Sequence, residues 1–364
     1  MIAVVGTVGL PARYGGFETL VENLVSEKNC ELDITVYCSA KSYSEKTDNF
    51  NGTKLVYLPF RANGIQSVIY DIASLIHTLF TKPDTILILG VSGCIFLPVF
   101  RLLSSSKIVT NIDGLEWKRA KWGSFTKRFL KYSEKLAVNY SDHIIADNQA
   151  ISDYVNLEYS IDTSVIAYGG DHAVGNLSTV TDGEFALALC RIEPENNVEM
   201  ILEAFSLTTK QLKFVGNWAN SEFGRLMKKR FSSLKNIELL DPIYDIDELS
   251  DLRSSCSYYI HGHSAGGTNP SLVEMMHFRK TILCFDCNYN RASTEDKAIY
   301  FSDVTELVSI VNSKSLSVSE CDVPANKYPD CNFYKDNGEE MLEIAERRYT
   351  WKIVRNQYFE LLIN

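Results

Sequence analysis

The sequence lacks any uninterrupted apolar run of membrane-spanning length. Its longest apolar stretch, 86–100, is broken by Gly90, Gly93 and Pro98, whereas a bilayer helix needs about 20 consecutive apolar residues. The opening MIAVVGTVG has no basic segment and no long apolar core, so it does not read as a signal peptide. Positive charge is in short supply. The 36 Lys and Arg face 46 Asp and Glu, and a net charge of −10 disfavours general binding to nucleic-acid phosphates. No GxGxxG phrase is present, which leaves dinucleotide binding little support. The nine cysteines contain a single CxxC, Cys284 and Cys287, without a second pair at zinc spacing. Cys190, Cys256 and Cys284 sit in apolar runs and read as buried free thiols of a reducing compartment. His261 and His263 have no Asp, Glu or His companions at metal spacing, so no metal is expected.

What is present is alternation. The 364 residues exceed what one core usually serves, so two domains are expected. Short apolar or β-branched runs at 2–5, 34–37, 55–58, 85–89, 107–110, 143–146 and 164–167 read as strands, with helix-length stretches between them. The clearest helix is 16–27, where Phe17, Leu20, Val21, Leu24 and Val25 form one apolar face. The alternation pauses at 168–183 (YGGDHAVGNLSTVTDG), a Gly-, Ser-, Thr- and Asp-rich stretch that reads as a hinge. It resumes with strands at 185–189, 212–215, 237–240, 258–261 and 281–285 and helices at 197–206, 222–233 and 247–254. A charged amphipathic segment, 337–362, follows. Such alternation implies parallel sheets covered on both faces, which bind ligands beyond the carboxyl ends of their strands. The expected domains are 1–172, 173–336, and a helical segment 337–364 returning to the first.

Four motifs sit at strand ends. In residues 261–274 (HGHSAGGTNPSLVE), Asn269 is a good helix N-cap and Pro270 suits the first turn. Gly266, Gly267 and Thr268 would then present amides to an anion such as a diphosphate, and Glu274 could accept two ribose hydroxyls. The alternative is a capped helix whose glycines only permit a tight turn. In 191–197 (RIEPENN), Arg191 follows a strand and could clamp a diphosphate, or be an ordinary surface arginine. In 6–18 (GTVGLPARYGGFE), Gly15 and Gly16 open the amphipathic helix, and with Glu18 they are candidates for diphosphate and acceptor contacts. Arg13 could reach a phosphate or simply be solvated. In 111–119 (NIDGLEWKR), Asp113 could position or deprotonate an acceptor hydroxyl, and Trp117 could stack on a sugar ring. Helix capping and core packing are the plainer alternatives for that pair.

These phrases, in this order from Gly6 to Glu274, resemble the family 4 retaining glycosyltransferases of the GT-B fold. They are similar above all to a bacterial rhamnosyltransferase-like branch whose signature reads HGHSxGGTNPSLxE. The resemblance implies an α/β chain of two Rossmann-like doubly wound domains facing a central cleft. The first domain would take the acceptor and the second the nucleotide-sugar donor. Two departures from the wider family stand out. Its first signature glutamate falls on Gly266, and its lysine, five residues after Arg191, falls on Asn196. Asp113 occupies the place where many family 4 enzymes carry a histidine. The implied donor site is Gly15, Gly16, Arg191, Asn196, Gly216, Tyr244, His263, Gly266, Gly267, Thr268, Asn269 and Glu274. The implied acceptor site is Glu18, Asp113 and Trp117, with Asp113 and Arg191 catalytic.

One segment reverses the overall charge. Residues 117–135 hold seven Lys and Arg, among them Lys127, Arg128 and Lys131, with aromatics interleaved and Glu134 as the one acid. It reads either as a solvated face or as contact with an anionic membrane surface. The expectation is a cytoplasmic enzyme, peripheral at the inner membrane face. It would move a hexose, best matched by L-rhamnose from dTDP-rhamnose, with retention onto a lipid-linked saccharide in capsule or other surface-polysaccharide synthesis. It would need no cofactor beyond its donor. A GT-B nucleotide-sugar epimerase and a non-catalytic nucleotide-sugar-binding protein are the alternatives.

Overall fold

The computed structural model of the protein describes residues 1–13, 15–26, 32–118, 122–175, 183–313 and 331–363. The chain forms two compact units, Met1–Tyr168 with Trp351–Asn364, and Gly169–Thr350. The change of unit falls at Tyr168, four residues before the expected boundary. The segment from 337 onward is shared by both units. Residues 176–182 of the expected hinge lie outside the described residues.

In the first unit, β1 (Ile2–Val5), α1 (Gly16–Leu24), β2 (Ile34–Ser39), β3 (Asn49–Phe50), β4 (Thr53–Leu58), α2 (Gln66–Thr81), β5 (Thr85–Leu89), α3 (Leu97–Leu103), β6 (Lys107–Asn111), α4 (Ser124–Tyr140), β7 (His143–Ala146), α5 (Gln149–Tyr159) and β8 (Ser164–Val165) follow in order. The sheet order is β3-β4-β2-β1-β5-β6-β7-β8. Its pairings are parallel except the short hairpin β3–β4. The path runs outward one way from β1 to β2 and the other way from β5 through β8. Right-handed crossovers therefore put α1 on one face and α2 to α4 on the other.

In the second unit, β9 (Phe185–Leu189), α6 (Val198–Ser206), β10 (Gln211–Val215), α7 (Glu222–Phe231), β11 (Ile237–Leu240), α8 (Ile246–Ser255), β12 (Tyr258–His261), α9 (Pro270–Met276), β13 (Thr281–Phe285), α10 (Asn288–Ser293), β14 (Ile299–Phe301), α11 (Val304–Asn312) and α12 (Cys331–Arg348) build the order β11-β10-β9-β12-β13-β14. All of its pairings are parallel. The direction reverses between β9 and β12, and in the first unit between β1 and β5. A doubly wound sheet leaves a crevice at such a reversal.

The last helix, α13 (Trp351–Ile363), belongs to the first unit. Trp351, Val354, Tyr358 and Leu362 join the core built by β1, β2 and α1. The Tyr358 hydroxyl accepts from Asn111 Nδ2 at 2.6 Å, and Tyr168 meets Trp351 edge-on at 4.7 Å. The C-terminal helical segment comprises two helices, of which α12 belongs to the second unit and α13 to the first. The break at Tyr349 and Thr350 lets Tyr349 donate to the Ser293 carbonyl within the second unit while α13 packs on the first.

Candidate functional site

The second unit carries two cross-linked loops at its point of reversal. After β9, residues 190–197 turn back on themselves. Asn196, in the position of the family's lysine, is buried, and its amide donates to the Arg191 carbonyl at 2.7 Å. It therefore shapes the Arg191 loop and does not offer its side chain to a ligand. Asn197, at a left-handed φ of 51°, donates to the Gly262 carbonyl at 2.9 Å. Ser264 binds the Glu195 carbonyl through both its amide, at 3.1 Å, and its hydroxyl, at 2.7 Å. This contact requires glycine at 262, because a Cβ there would stand 2.3 Å from the Asn196 carbonyl oxygen. The Arg191 guanidinium is exposed and has no hydrogen-bond or ionic partner among the described residues.

The loop after β12 follows the expected pattern. Asn269 caps α9, its Oδ1 accepting from the Ser271 amide at 3.1 Å, and Pro270 stands in the first turn. Gly266 has φ 124°, a backbone conformation that favours glycine, with open space where a Cβ would be. Thr268 is buried beside it. Because α9 spans only seven residues, the loop amides rather than a long helix would supply the attraction for an anion.

Glu274 is held more tightly than the sequence suggests. The buried Arg253 donates to one of its oxygens, and His172 Nε2 stands 3.5 Å from the other. A carboxylate has about four acceptor sites, so capacity for ligand hydroxyls remains. Burial first, against the opposing pull of Glu274, holds the His172 pKa below its ordinary value. Behind the loop, His261 is fully buried and its ring stacks on His263 at 4.4 Å. Burial, then the neighbouring His263, push its pKa well below the usual value. Neither His261 ring nitrogen finds a hydrogen-bond partner among the described residues. Gly216 ends β10 at a close approach, where a Cβ would meet Ile192 at 2.4 Å, and Tyr244 is exposed in the loop after β11.

In the first unit, the loop after β1 is built around Glu18. Its Oε1 accepts from the Val8 amide at 2.7 Å and the Thr7 hydroxyl at 3.1 Å, and the side chain is buried. Gly15, at φ 142°, passes so close that a Cβ would stand 1.8 Å from Glu18 Oε2. Glu18 thus organises its own loop through Oε1. Gly16 faces open space. Arg13 is tied back, donating to the Ser42 carbonyl at 2.9 Å and lying over Tyr43 at 4.9 Å.

Asp113 follows β6 at φ 60°, and its amide donates to Asn111 Oδ1 at 2.8 Å. A non-glycine residue in this region costs energy and is often found where a side chain must be aimed. Trp117 is half-buried and held from behind. Its Nε1 donates to Glu134 at 2.9 Å, and the Lys131 ammonium lies 4.8 Å above its ring. Tyr154 and Tyr159 each donate to Glu134 at 2.7 Å, making this buried carboxylate the hub of a closed cluster. Lys131 belongs to that cluster, so it does not point to a membrane. Burial works to lower its pKa, but hydrogen bonds with Tyr159 and Glu158 and the charge of Glu134 outweigh it and hold it raised. Lys127 is half-buried and Arg128 is exposed; Arg119 and Lys121 lie outside the described residues. The cluster and the Arg253–His172 clamp carry no local sequence signal, since their members are joined only by tertiary contact.

Two doubly wound parallel sheets of this order make the fold GT-B, and the solved structures agree. Sucrose-phosphate synthase from Thermosynechococcus elongatus superimposes with a TM-score of 0.77 at 12% identity, over 99% of this chain and 97% of that one. Anabaena HepE in complex with UDP gives 0.73 at 15%, over 100% and 99%. A glycosyltransferase from Rickettsia africae gives 0.71 at 11%, over 99% and 97%. Residues 1–171 match the family described as "Domain of unknown function (DUF1972)". No protein of curated function matches the sequence. Among the described residues, no three His, Cys, Asp or Glu side chains are grouped to hold a metal ion, and no helix is long and apolar enough to cross a membrane.

Proposed function

We propose that the protein is a nucleotide-sugar-dependent glycosyltransferase whose second unit takes the donor and whose first unit takes the acceptor. The observation that carries this reading is the pair of interlocked loops after β9 and β12. They carry Arg191, whose guanidinium has no hydrogen-bond or ionic partner among the described residues, the left-handed Gly266 and the clamped carboxylate of Glu274. A diphosphate needs the first two and a ribose the third. Likeness to UDP-bound HepE over the whole chain supports the same assignment.

In this reading the acceptor oxygen attacks the anomeric carbon on the face from which the diphosphate departs, retaining configuration. Arg191 and the amides of Gly266 and Gly267 stabilise the negative charge gathering on the leaving group. Asp113, aimed by its left-handed backbone, orients the acceptor hydroxyl and helps to take up its proton. No covalent carboxylate nucleophile is assigned. The finer reading is L-rhamnose from dTDP-rhamnose, transferred to a lipid-linked saccharide of a surface polysaccharide, with the basic α4 segment meeting an anionic membrane through Lys127 and Arg128. The sugar and acceptor rest on the sequence resemblance, and the membrane contact rests on the basic character of residues 117–135.

The test is product analysis by mass spectrometry with dTDP- and UDP-sugars, with and without a polyprenyl-diphosphate saccharide. Sugar appearing on the acceptor supports the reading. Epimerised donor without acceptor, or donor binding with neither transfer nor hydrolysis, contradicts it.

A further inference from the structure

Helix α2 of the first unit is inside out. Tyr70, Asp71, Ser74 and Thr78 face the protein and are buried, along with Leu75. Ile65, just before the helix, and Ile69, Ile76 and Phe80 lie along one stripe and face water, Ile65 at 89% and Phe80 at 80% exposure. The ordinary arrangement is the reverse, with the apolar stripe toward the core.

This orientation is fixed by specific contacts. The Tyr70 hydroxyl donates to the Thr7 carbonyl at 2.9 Å, while Ser74 and Thr78 satisfy their hydroxyls on carbonyls of their own helix at 2.8 and 2.6 Å. Asp71 packs so closely under Gly93 that a Cβ there would lie 2.3 Å from its own Cβ. Rotating α2 to bury its isoleucines would break the Tyr70–Thr7 bond and the close packing of Asp71 under Gly93.

The apolar stripe continues on neighbouring helices. α3 packs beside α2, and α4 beside α3. On α3, Leu102 is 84% exposed, and at the start of α4, Phe125 is 86% exposed. Large apolar side chains exposed on three neighbouring helices mark an interaction site on a soluble protein.

Charge selects the occupant. Between residues 60 and 140 there are eleven Lys and Arg against five Asp and Glu, in a chain whose net charge is −10. Two of the five acids, Asp71 and Glu134, are buried. Arg61 and Lys82 flank α2, and Arg128 and Lys135 are exposed on α4. Of the large apolar side chains exposed on α2 and α3, Phe80 is the one aromatic and the others are Ile, Leu and Val, whereas protein interfaces are enriched in Tyr, Trp, Phe, Met and Arg. Aliphatic side chains ringed by cations match the headgroup–acyl boundary of an anionic bilayer.

We infer that α2 and α3 insert their exposed aliphatic stripe into the surface of an anionic membrane, lying along it, with α4 as the electrostatic flank. The inference rests on the proposed contact with an anionic membrane and names the element that makes it.

The test is flotation of the full chain with phosphatidylcholine vesicles, with and without phosphatidylglycerol. It compares the wild type with the double variant Ile69→Glu/Phe80→Glu, with Leu102→Glu, and with Arg128→Glu/Lys135→Glu. All substituted side chains are exposed, and thermal melting checks that each variant folds. The expected result is binding to anionic vesicles that falls about tenfold or more in the aliphatic variants, as loss of inserted apolar area requires, with the donor-induced thermal shift unchanged. Aliphatic variants that bind as well as wild type would overturn the inference and leave α4 electrostatics as the whole contact. Absence of wild-type vesicle binding would also overturn it, as would a dimer that these variants split in light scattering, which would make a second copy the occupant. Loss of donor-induced stabilisation in the wild type would refute the transferase reading alone.

Discussion

Arg253 donates to the Glu274 carboxylate across 21 residues of sequence, joining the last turn of α8 to α9. The pair is buried on the arginine side, with its head at 4% exposure, and His172 closes the other side. Glu274 is therefore pre-positioned before any ligand arrives, which lowers the ordering cost of binding. Removing the arginine leaves a largely buried carboxylate uncompensated. Arg253→Met should cost the second unit roughly 3 kcal/mol, the usual penalty for breaking a buried pair from one side. Denaturant unfolding checks this, and a loss below about 0.5 kcal/mol would place the pair in effect at the surface.

Arg191 is expected to behave in the opposite way. Because its guanidinium is exposed and unpartnered among the described residues, Arg191→Ala should leave the melting temperature within error. Turnover should fall by roughly a hundredfold or more, as for comparable charge-stabilising groups. Steady-state kinetics beside calorimetry separates the two effects.

The loops of the first unit make a steric prediction. At Gly15 an added Cβ would meet Glu18 Oε2 at 1.8 Å, on a backbone at φ 142°. Gly15→Ala should destabilise the unit by about 1–3 kcal/mol, the range for a strained backbone position. Glu18→Ala should cost a similar roughly 1–3 kcal/mol by orphaning the Val8 amide. Urea titration reads both; a neutral Gly15→Ala would mean that the loop is not held as described.

Acid should weaken the second unit through its histidines. Burial holds His261 well below its ordinary pKa, and His172 and His277 lower than theirs, so all three prefer to be neutral when folded. The unfolded chain then binds more protons once pH falls below about 6.5. Stability should be fully present above that pH and decline as pH falls toward the folded values, by at most about 1.4 kcal/mol per unit for each group. Unfolding free energies at pH 7.5 and 5.5 check the slope, and His172→Gln should flatten it in part. A flat profile would contradict the assignment.

Much of the fold is legible because parallel strands buried on both faces read as unbroken apolar runs, as in Phe185–Leu189 and Thr281–Phe285. The helix α1 is legible from its single apolar face. The three-residue strand β14 and the two-residue β3 are too short to carry a pattern. The orientation of α2 is illegible, because tertiary contacts of Tyr70 and Asp71 decide which of its faces turns inward. At the site, the turn chemistry of Asn269, Pro270 and the glycines is written locally. What Glu18, Trp117 and Lys131 do is not, because each is decided by a partner elsewhere in the chain: Thr7 and Val8 for Glu18, and the Glu134 cluster for the other two.

We propose that the second unit binds a nucleotide-sugar through Arg191, the Gly266 loop and Glu274. The most direct test is the thermal unfolding midpoint of the wild type and Arg191→Ala with UDP, dTDP and their sugars. Ligand that binds only the folded chain stabilises it by about 2.7 kcal/mol at a hundred times its Kd. The expected result is a clear upward shift of the wild type with at least one nucleoside diphosphate or its sugar, reduced in the variant. No shift with any of them at millimolar concentration, or an equal shift in Arg191→Ala, would contradict it.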